Sequence, residues 1–436
     1  MHDQPVPPPE PAWAVFERLL CRGAIDALAP PAQQAVYTPW VVLWLLVYQR
    51  LHANASLGDA VAHFRTHFAV PADPPAASTG AYSQARTRLP GAVVRAAARQ
   101  VFEALVAGYP PSWRGPRVFL VDGTTVRLPP TEALRDAFAP ASNQYGRSHG
   151  PVRHLVVAHE LASGLGAAPQ YGAMYGPAAV GEVQRAARMM DQLPPGSVLI
   201  GDRNFGVFGL AHAATAGGHR VLVRLTAARF RALVRSGRPA GDGRWSLTWT
   251  PTAADRKGNP GLGADASVTG WLHQVVVRAD LTLWLFATVD GTGAELGQLY
   301  RRRQDVGTDI RDVKRPLGVD QLRGRTVPMV GKELSASLLA YNLATQVRRV
   351  AAGARGVEPR RISFAGVWSL VRAMVPVLRT GPRRGTGGAG SRGSCEPPGS
   401  GCCRTGRPGD STRASSYHEV AGTPSGSGLR NKRPRS

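Results

Sequence analysis

Cysteine is scarce in this chain of 436 residues: one stands at position 21 and three crowd the end, Cys395, Cys402 and Cys403. None forms a CxxC pair or a Cys/His zinc spacing, so a disulfide framework and a structural zinc site are both excluded. A reducing, cytoplasmic setting fits that usage. Long apolar runs are missing too. The longest, WVVLWLLVYQRL from Trp40, is too short to cross a bilayer and reads as a buried helix. The opening MHDQPVPPPEPAW has neither the basic nor the apolar region of a secretory signal, which argues against export. There is no P-loop, no GxGxxG after a strand and no GxSxG elbow. Acid is in short supply: 29 Asp plus Glu face 53 Lys plus Arg, a net charge of +24. Such a balance favours a polyanionic partner, nucleic acid above all, although arginine-rich codon usage produces a similar excess.

Apolar residues make up 43% of the chain, enough for a substantial core. Residues 1–110 read as a helical N-terminal domain, with AVFERLL, VVLWLLVYQRL and AVVRAAARQVFEALV separated by turn-forming stretches. The piece YSQARTRLP offers Gln84, Arg86 and Arg88 as a DNA-facing edge or a solvated basic loop. From Val118 the texture becomes strand-like: VFLVDGTTVRL, HLVVAHEL and YGAMYG, then the amphipathic VGEVQRAARMMDQL, then PPGSVLIGDRNFG. Strands alternating with helices indicate an α/β layer with a mixed or parallel sheet over residues 111–227. Residues 228–298 read as a β-rich insertion, and residues 299–379 as a return to helix. After residue 380 bulky apolar side chains almost vanish. Residues 381–436 hold 13 Gly and 9 Arg, a composition that cannot bury enough surface to fold, so a disordered basic tail is expected over 380–436.

Two acids end apolar strands, Asp122 in FLVDGT and Asp202 in LIGDRN. A carboxylate there sits on the rim of an α/β sheet, where ligands bind. Two on neighbouring strands have the oxygen chemistry to share Mg²⁺, and a metal pair suits phosphodiester chemistry. Taken singly, an Asp before Gly also makes a plain turn. His154 and His159, five apart on one strand, face opposite sides and are poor joint metal ligands.

These stretches resemble the insertion-sequence transposases of the DDE class, in the large family typified by insertion sequence four. The resemblance runs from about residue 13 to 370, through YSQARTRLP, VDGTTVRLP, FAPASNQYG, GDRNFG, YRRR…DIRDVK, LGVDQLRGRT and KELSASLLAYNL. It implies a ribonuclease-H-like fold with a β insertion between the second and third acids. It implies that the enzyme cuts and rejoins DNA at an element's ends with two Mg²⁺ ions. Asp122 then matches the first catalytic acid and metal ligand, and Asp202 the second.

The family's helix motif runs Tyr, two residues, Arg, three residues, Glu, six residues, Lys. This chain supplies Tyr300, Arg303 and Lys314 at those spacings, and at about 100° per residue they fall near one line on a helix. The Glu position holds Gly307, and Gln304 stands where relatives commonly carry Trp. Asp305, Asp309 and Asp312 lie well around the helix, and Glu333 is expected to be a surface or inter-helix partner, so no replacement acid emerges. Cleavage is therefore expected to be impaired. The resemblance makes Tyr300, Arg303 and Lys314 contacts to DNA phosphate, with Arg323 and Arg325 in LRGRT as further backbone contacts. The implied partners are double-stranded DNA, as terminal repeats and as target, and a second copy on paired ends, in a cytoplasmic, nucleoid-associated setting without membrane. A non-catalytic DNA-binding protein that occupies element ends is the alternative, and an unrelated phosphate-ester hydrolase a third. In the tail, both a frameshift and a cationic DNA-binding arm would produce the change at SRGSCEPPGS.

Overall fold

The computed structural model of the chain describes residues 17–67, 77–111, 113–143 and 146–378. The expected disordered tail, 380–436, lies outside the described residues, as does the opening Pro-rich segment. Helices come first: α1 (Arg22–Leu28), α2 (Pro39–Leu51), α3 (Leu57–His67), α4 (Gly80–Arg88) and α5 (Gly91–Ala107). Helix α2 is the long apolar run. Thr38 caps it by accepting from the Val41 N–H, Pro39 presets its first turn, and nearly every residue is buried. YSQARTRLP is thus itself helical, forming most of α4.

The sheet follows, with β1 (Val118–Arg127), α6 (Glu132–Ala137), β2 (Pro140–Asn143), β3 (Gly146–Glu160), β4 (Gln170–Ala173), α7 (Glu182–Met189), β5 (Val198–Gly201), α8 (Phe208–Ala216) and β6 (Arg220–Arg224). Next come α9 (Ala227–Val234), β7 (Arg238–Pro239), β8 (Arg244–Trp249), α10 (Ala253–Gly258), β9 (Val268–Arg278) and β10 (Leu281–Ala287). Strand order is β2-β3-β1-β5-β6-β10-β9-β8-β7, with β4 paired to β3. Strand β3 runs antiparallel to β1, while β5 lies parallel to β1 and β6 parallel to β5. The sheet is therefore mixed. Residues 228–298 are rich in strand, but they extend this sheet through the antiparallel β6–β10 pair and also carry two short helices.

Helices resume with α11 (Gly293–Arg301), α12 (Asp305–Lys314), α13 (Val327–Ala354) and α14 (Phe364–Leu378). A capping box of Thr292 and Glu295 starts α11. Alternation along the strands sorts the core into two faces. Phe119, Val121, Leu199 and Val223 join α2, α5, α7, α8 and α13 in one apolar cluster. Val118, Leu120, Ile200 and Leu222 join α11 and α12 in the other. Among the described residues no helix is long and apolar enough to cross a membrane.

Candidate active site

The parallel pairing of β1 with β5 ends at Leu120↔Ile200, and the two acids stand just beyond it. Asp202 leaves the end of β5 and opens a turn, its Oδ1 accepting from the Asn204 N–H at 2.8 Å. Asp122 departs from the turn expected of Asp-Gly. The β3 ladder carries β1 on to Arg127, with Asp122 opposite Val157 and Gly123 opposite Val156. Tertiary pairing overrides the local turn preference here.

Asp122 has the parity of Val118 and Leu120, so it projects to the face covered by α11 and α12. There Arg303 meets both acids. Its Nη2 lies 3.1 Å from Asp122 Oδ2 and 3.4 Å from Asp202 Oδ2. The two carboxylates therefore converge on a single nitrogen. Burial pushes the Asp122 carboxyl up; the Arg303 charge and the Gly123 N–H oppose it, and Asp202 adds to it. Tyr300 stands nearby in the apolar cluster, 8% exposed, its phenol pushed up to about 12 by burial, with the Arg303 charge opposing.

The YRRR…DIRDVK segment is not one uninterrupted α-helix. Helix α11 ends at Arg301, residues 302–304 form a 3₁₀ turn, and α12 starts at Asp305. A 3₁₀ turn advances about 120° per residue, so the single line expected of Tyr300, Arg303, 307 and Lys314 is broken. Gly307 is exposed, and a Cβ built there meets no atom within 4 Å, so a longer side chain has room. Lys314 is brought into no ion pair with the two acids; the carboxylate that acts on it is Asp320, and burial pulls its pKa down.

Two of the three acids of α12, Asp305 and Asp309, are engaged elsewhere. Asp309 is wholly buried and accepts from Arg360 through both oxygens, at 2.7 and 2.8 Å. Asp305 accepts from Arg302 at 2.8 Å. Glu333 is an inter-helix partner, as its position implied, ion-paired with Arg86 at 3.3 Å. Arg323 and Arg325 are exposed on the loop before α13, where they line a cavity with residues of the N-terminal helices and neither Asp122 nor Asp202.

The structure adds one carboxylate that sequence reasoning passed over. Glu182, in the first turn of α7, approaches β1 from the opposite face. A Cβ at position 123 would fall on its carboxylate, so a glycine in mid-strand makes this approach possible. Its pKa is raised by burial first, then by the charges of Asp122 and Asp202. His154 Nε2 lies 4.0 Å from its Oε1, whereas His159 faces the other way and meets the Gly164 carbonyl. An acid in the first turn of an amphipathic helix ordinarily serves the helix dipole, so the sequence carried no distinguishing signal for Glu182.

Among the described residues no group of three or more His, Cys, Asp and Glu side chains is gathered closely enough to hold a metal ion. The donors that do converge, two carboxylates, have the hard oxygen chemistry that Mg²⁺ prefers, with the Arg303 guanidinium as their present counter-charge.

The family model for the transposase DDE domain matches residues 113–343, more than half of the chain and all of the sheet. The chain belongs to that family of DDE transposases. No curated protein matches it.

Proposed function

We propose that the chain is an insertion-element transposase of the insertion-sequence-four type. It binds element ends and target DNA, and by lineage cuts and rejoins phosphodiester bonds. The single observation that carries this reading is the convergence of Asp122 and Asp202 on one Arg303 nitrogen, inside the matched domain. The order β4-β3-β1-β5-β6, three antiparallel strands and then two parallel ones, supports the ribonuclease-H-like reading. Asp122 and Asp202 would hold Mg²⁺, which supplies charge neutralisation and activation of the attacking oxygen when bound. Arg303 has to release at least one carboxylate for that, and a freed guanidinium is suited to bidentate contact with phosphate. Tyr300, Lys314, Arg323 and Arg325 are assigned to DNA backbone contacts, and two copies to paired ends. A basic C-terminal arm would add non-specific affinity.

Catalytic output is impaired in this reading, because position 307 offers no carboxylate. That same exposed glycine favours the second reading, a DNA-binding protein that occupies ends without cutting them. The two are separated by incubating the chain and its Gly307→Glu variant with DNA carrying the ends of its own element, in Mg²⁺ or Mn²⁺. Cleavage that is weak in the native chain, strong in the variant and lost again in Gly307→Glu/Asp122→Asn supports the proposal. Equal, robust cleavage by both would refute the impairment. No cleavage by either would leave the non-cutting reading.

A further inference from the structure

A cavity of about 710 Å³ lies between α2, α4 and the loop that leads into α13. None of Asp122, Asp202 and Arg303 lines it. Five cationic side chains do: Arg50, Arg86, Arg323, Arg325 and Lys332, against one carboxylate, Glu333. Three of the motifs singled out in the sequence, YSQARTRLP, LGVDQLRGRT and KELSASLLAYNL, meet in its wall.

The lone carboxylate is already spent. Glu333, 1% exposed, accepts through Oε2 from the Arg323 and Gly324 N–H groups, each at 3.0 Å. Its Oε1 faces Arg86 Nη2 at 3.3 Å and Arg50 Nη2 at 3.9 Å. Lys332 is tied to the end of α4 by donating to the Arg86 and Thr87 carbonyls, which neutralise no charge. Positive charge is left over. Arg50 is 2% exposed and gives Nη2 to Asn54, yet its buried Nη1 has no acceptor in the protein, and neither has the buried Nε of Arg86. Buried guanidinium N–H groups without acceptors are costly, and the counter-charge that suits a cavity lined by five cations and one engaged carboxylate is an oxyanion, which arginine holds through its planar fork. Burial and the neighbouring Arg86 and Arg323 charges all press Arg50 toward its neutral form, with Glu333 opposing, as expected where cations outnumber acids.

We infer that this cavity is a second anion site, distinct from the paired acids, that takes a sugar-phosphate of the DNA backbone. This assignment rests on the transposase reading for the source of the phosphate. The loop is well placed for that partner: Gln321 bridges to Arg127, at the end of the strand that carries Asp122, and its carbonyl accepts from Asn54 of the N-terminal helices at 2.8 Å. One DNA backbone could thereby engage the catalytic strand and the N-terminal helices together.

Two measurements on the full chain test this. In the first, thermal midpoints are compared in inorganic phosphate and in chloride at equal ionic strength. The second is titration of a short fluorescent DNA duplex over about 50–200 mM NaCl. The variants are Arg86→Gln and the exposed Arg323→Gln, with Arg278→Gln, an exposed residue paired with Asp280, as the control. The inference expects phosphate to raise the native midpoint and to lose that effect in both variants. It expects DNA affinity to fall roughly tenfold and the salt slope to drop by about one in each, while the control is unchanged. If DNA binds with the same affinity and slope in all four proteins, the inference is overturned and the transposase reading stands. If phosphate stabilises the native chain but no DNA binds, the DNA assignment falls together with that reading. A second variant on an exposed residue keeps the outcome readable should Arg86→Gln fail to fold.

Discussion

Glu333 is where the structure makes its sharpest demand on stability. Its carboxylate, almost fully buried, holds the loop of Arg323 and Gly324 through two charged hydrogen bonds and balances Arg50 and Arg86. Hydrogen bonds to a charged group contribute about 1.5–3 kcal/mol each, and breaking a buried pair by removing one partner costs about 3–5 kcal/mol. These terms overlap rather than add. Glu333→Ala is therefore expected to lose about 3–5 kcal/mol. Glu333→Gln, which keeps one acceptor for the loop but leaves Arg50 unbalanced, should lose roughly 2–3 kcal/mol. The exposed i,i+4 pair of Arg99 and Glu103 sets the opposite limit, and Glu103→Ala should cost at most about 0.5 kcal/mol. Urea unfolding with an unchanged m-value reads all three. A Glu333→Ala loss no larger than that of Glu103→Ala would refute the reasoning.

Two further expectations concern the acid strand and its surroundings. Burial raises the folded-state pKa of Asp122 above its unfolded value, so its contribution favours folding below the ordinary Asp range and is lost as pH rises through the raised pKa. Asp122→Asn should then raise the unfolding midpoint near neutral pH, at about pH 7, and change it little in acid, at about pH 3; destabilisation at neutral pH would mean that the Arg303 pairing outweighs burial. The glycines beside the acids should differ sharply. At Gly206 a new Cβ would strike the Arg224 backbone carbonyl, which cannot swing away, so Gly206→Ala should cost about 2–3 kcal/mol. At Gly123 it meets side-chain ends, the Glu182 carboxylate and His154 Nε2 at 3.1 Å, and no backbone, so Gly123→Ala should cost less than Gly206→Ala in the same urea assay, about 1 kcal/mol.

Much of this architecture is legible in the residues because apolar runs announce buried strands. VFLV and VLIG sit in the centre of the sheet, and the acid that follows each run falls on one rim. The helix over Trp40–Leu51 is equally plain, since an apolar run of that length with Thr38 and Pro39 at its start has no other use. What escapes is decided between segments. Asp-Gly carries the chemistry of a turn, and only the β3 register shows it as continuous strand. The β-rich stretch of 228–298 looks separable until β10 is seen to pair with β6. The 3₁₀ turn at 302–304 breaks a face that periodicity alone draws as straight. Glu182 is hidden because its nearness to Asp122 is made by a glycine fifty-nine positions away in sequence, not by any spacing along its own helix.

The central claim is that Asp122 and Asp202 form one cation-holding pair with an unfilled third place at 307. Mn²⁺ binding, followed by electron paramagnetic resonance on the full chain, tests it without relying on DNA cleavage. The native chain should bind weakly, Asp122→Asn/Asp202→Asn should abolish the binding, and Gly307→Glu should tighten it about tenfold, or roughly 1.4 kcal/mol. Binding that survives the double aspartate replacement, or that ignores a glutamate at 307, would contradict the account.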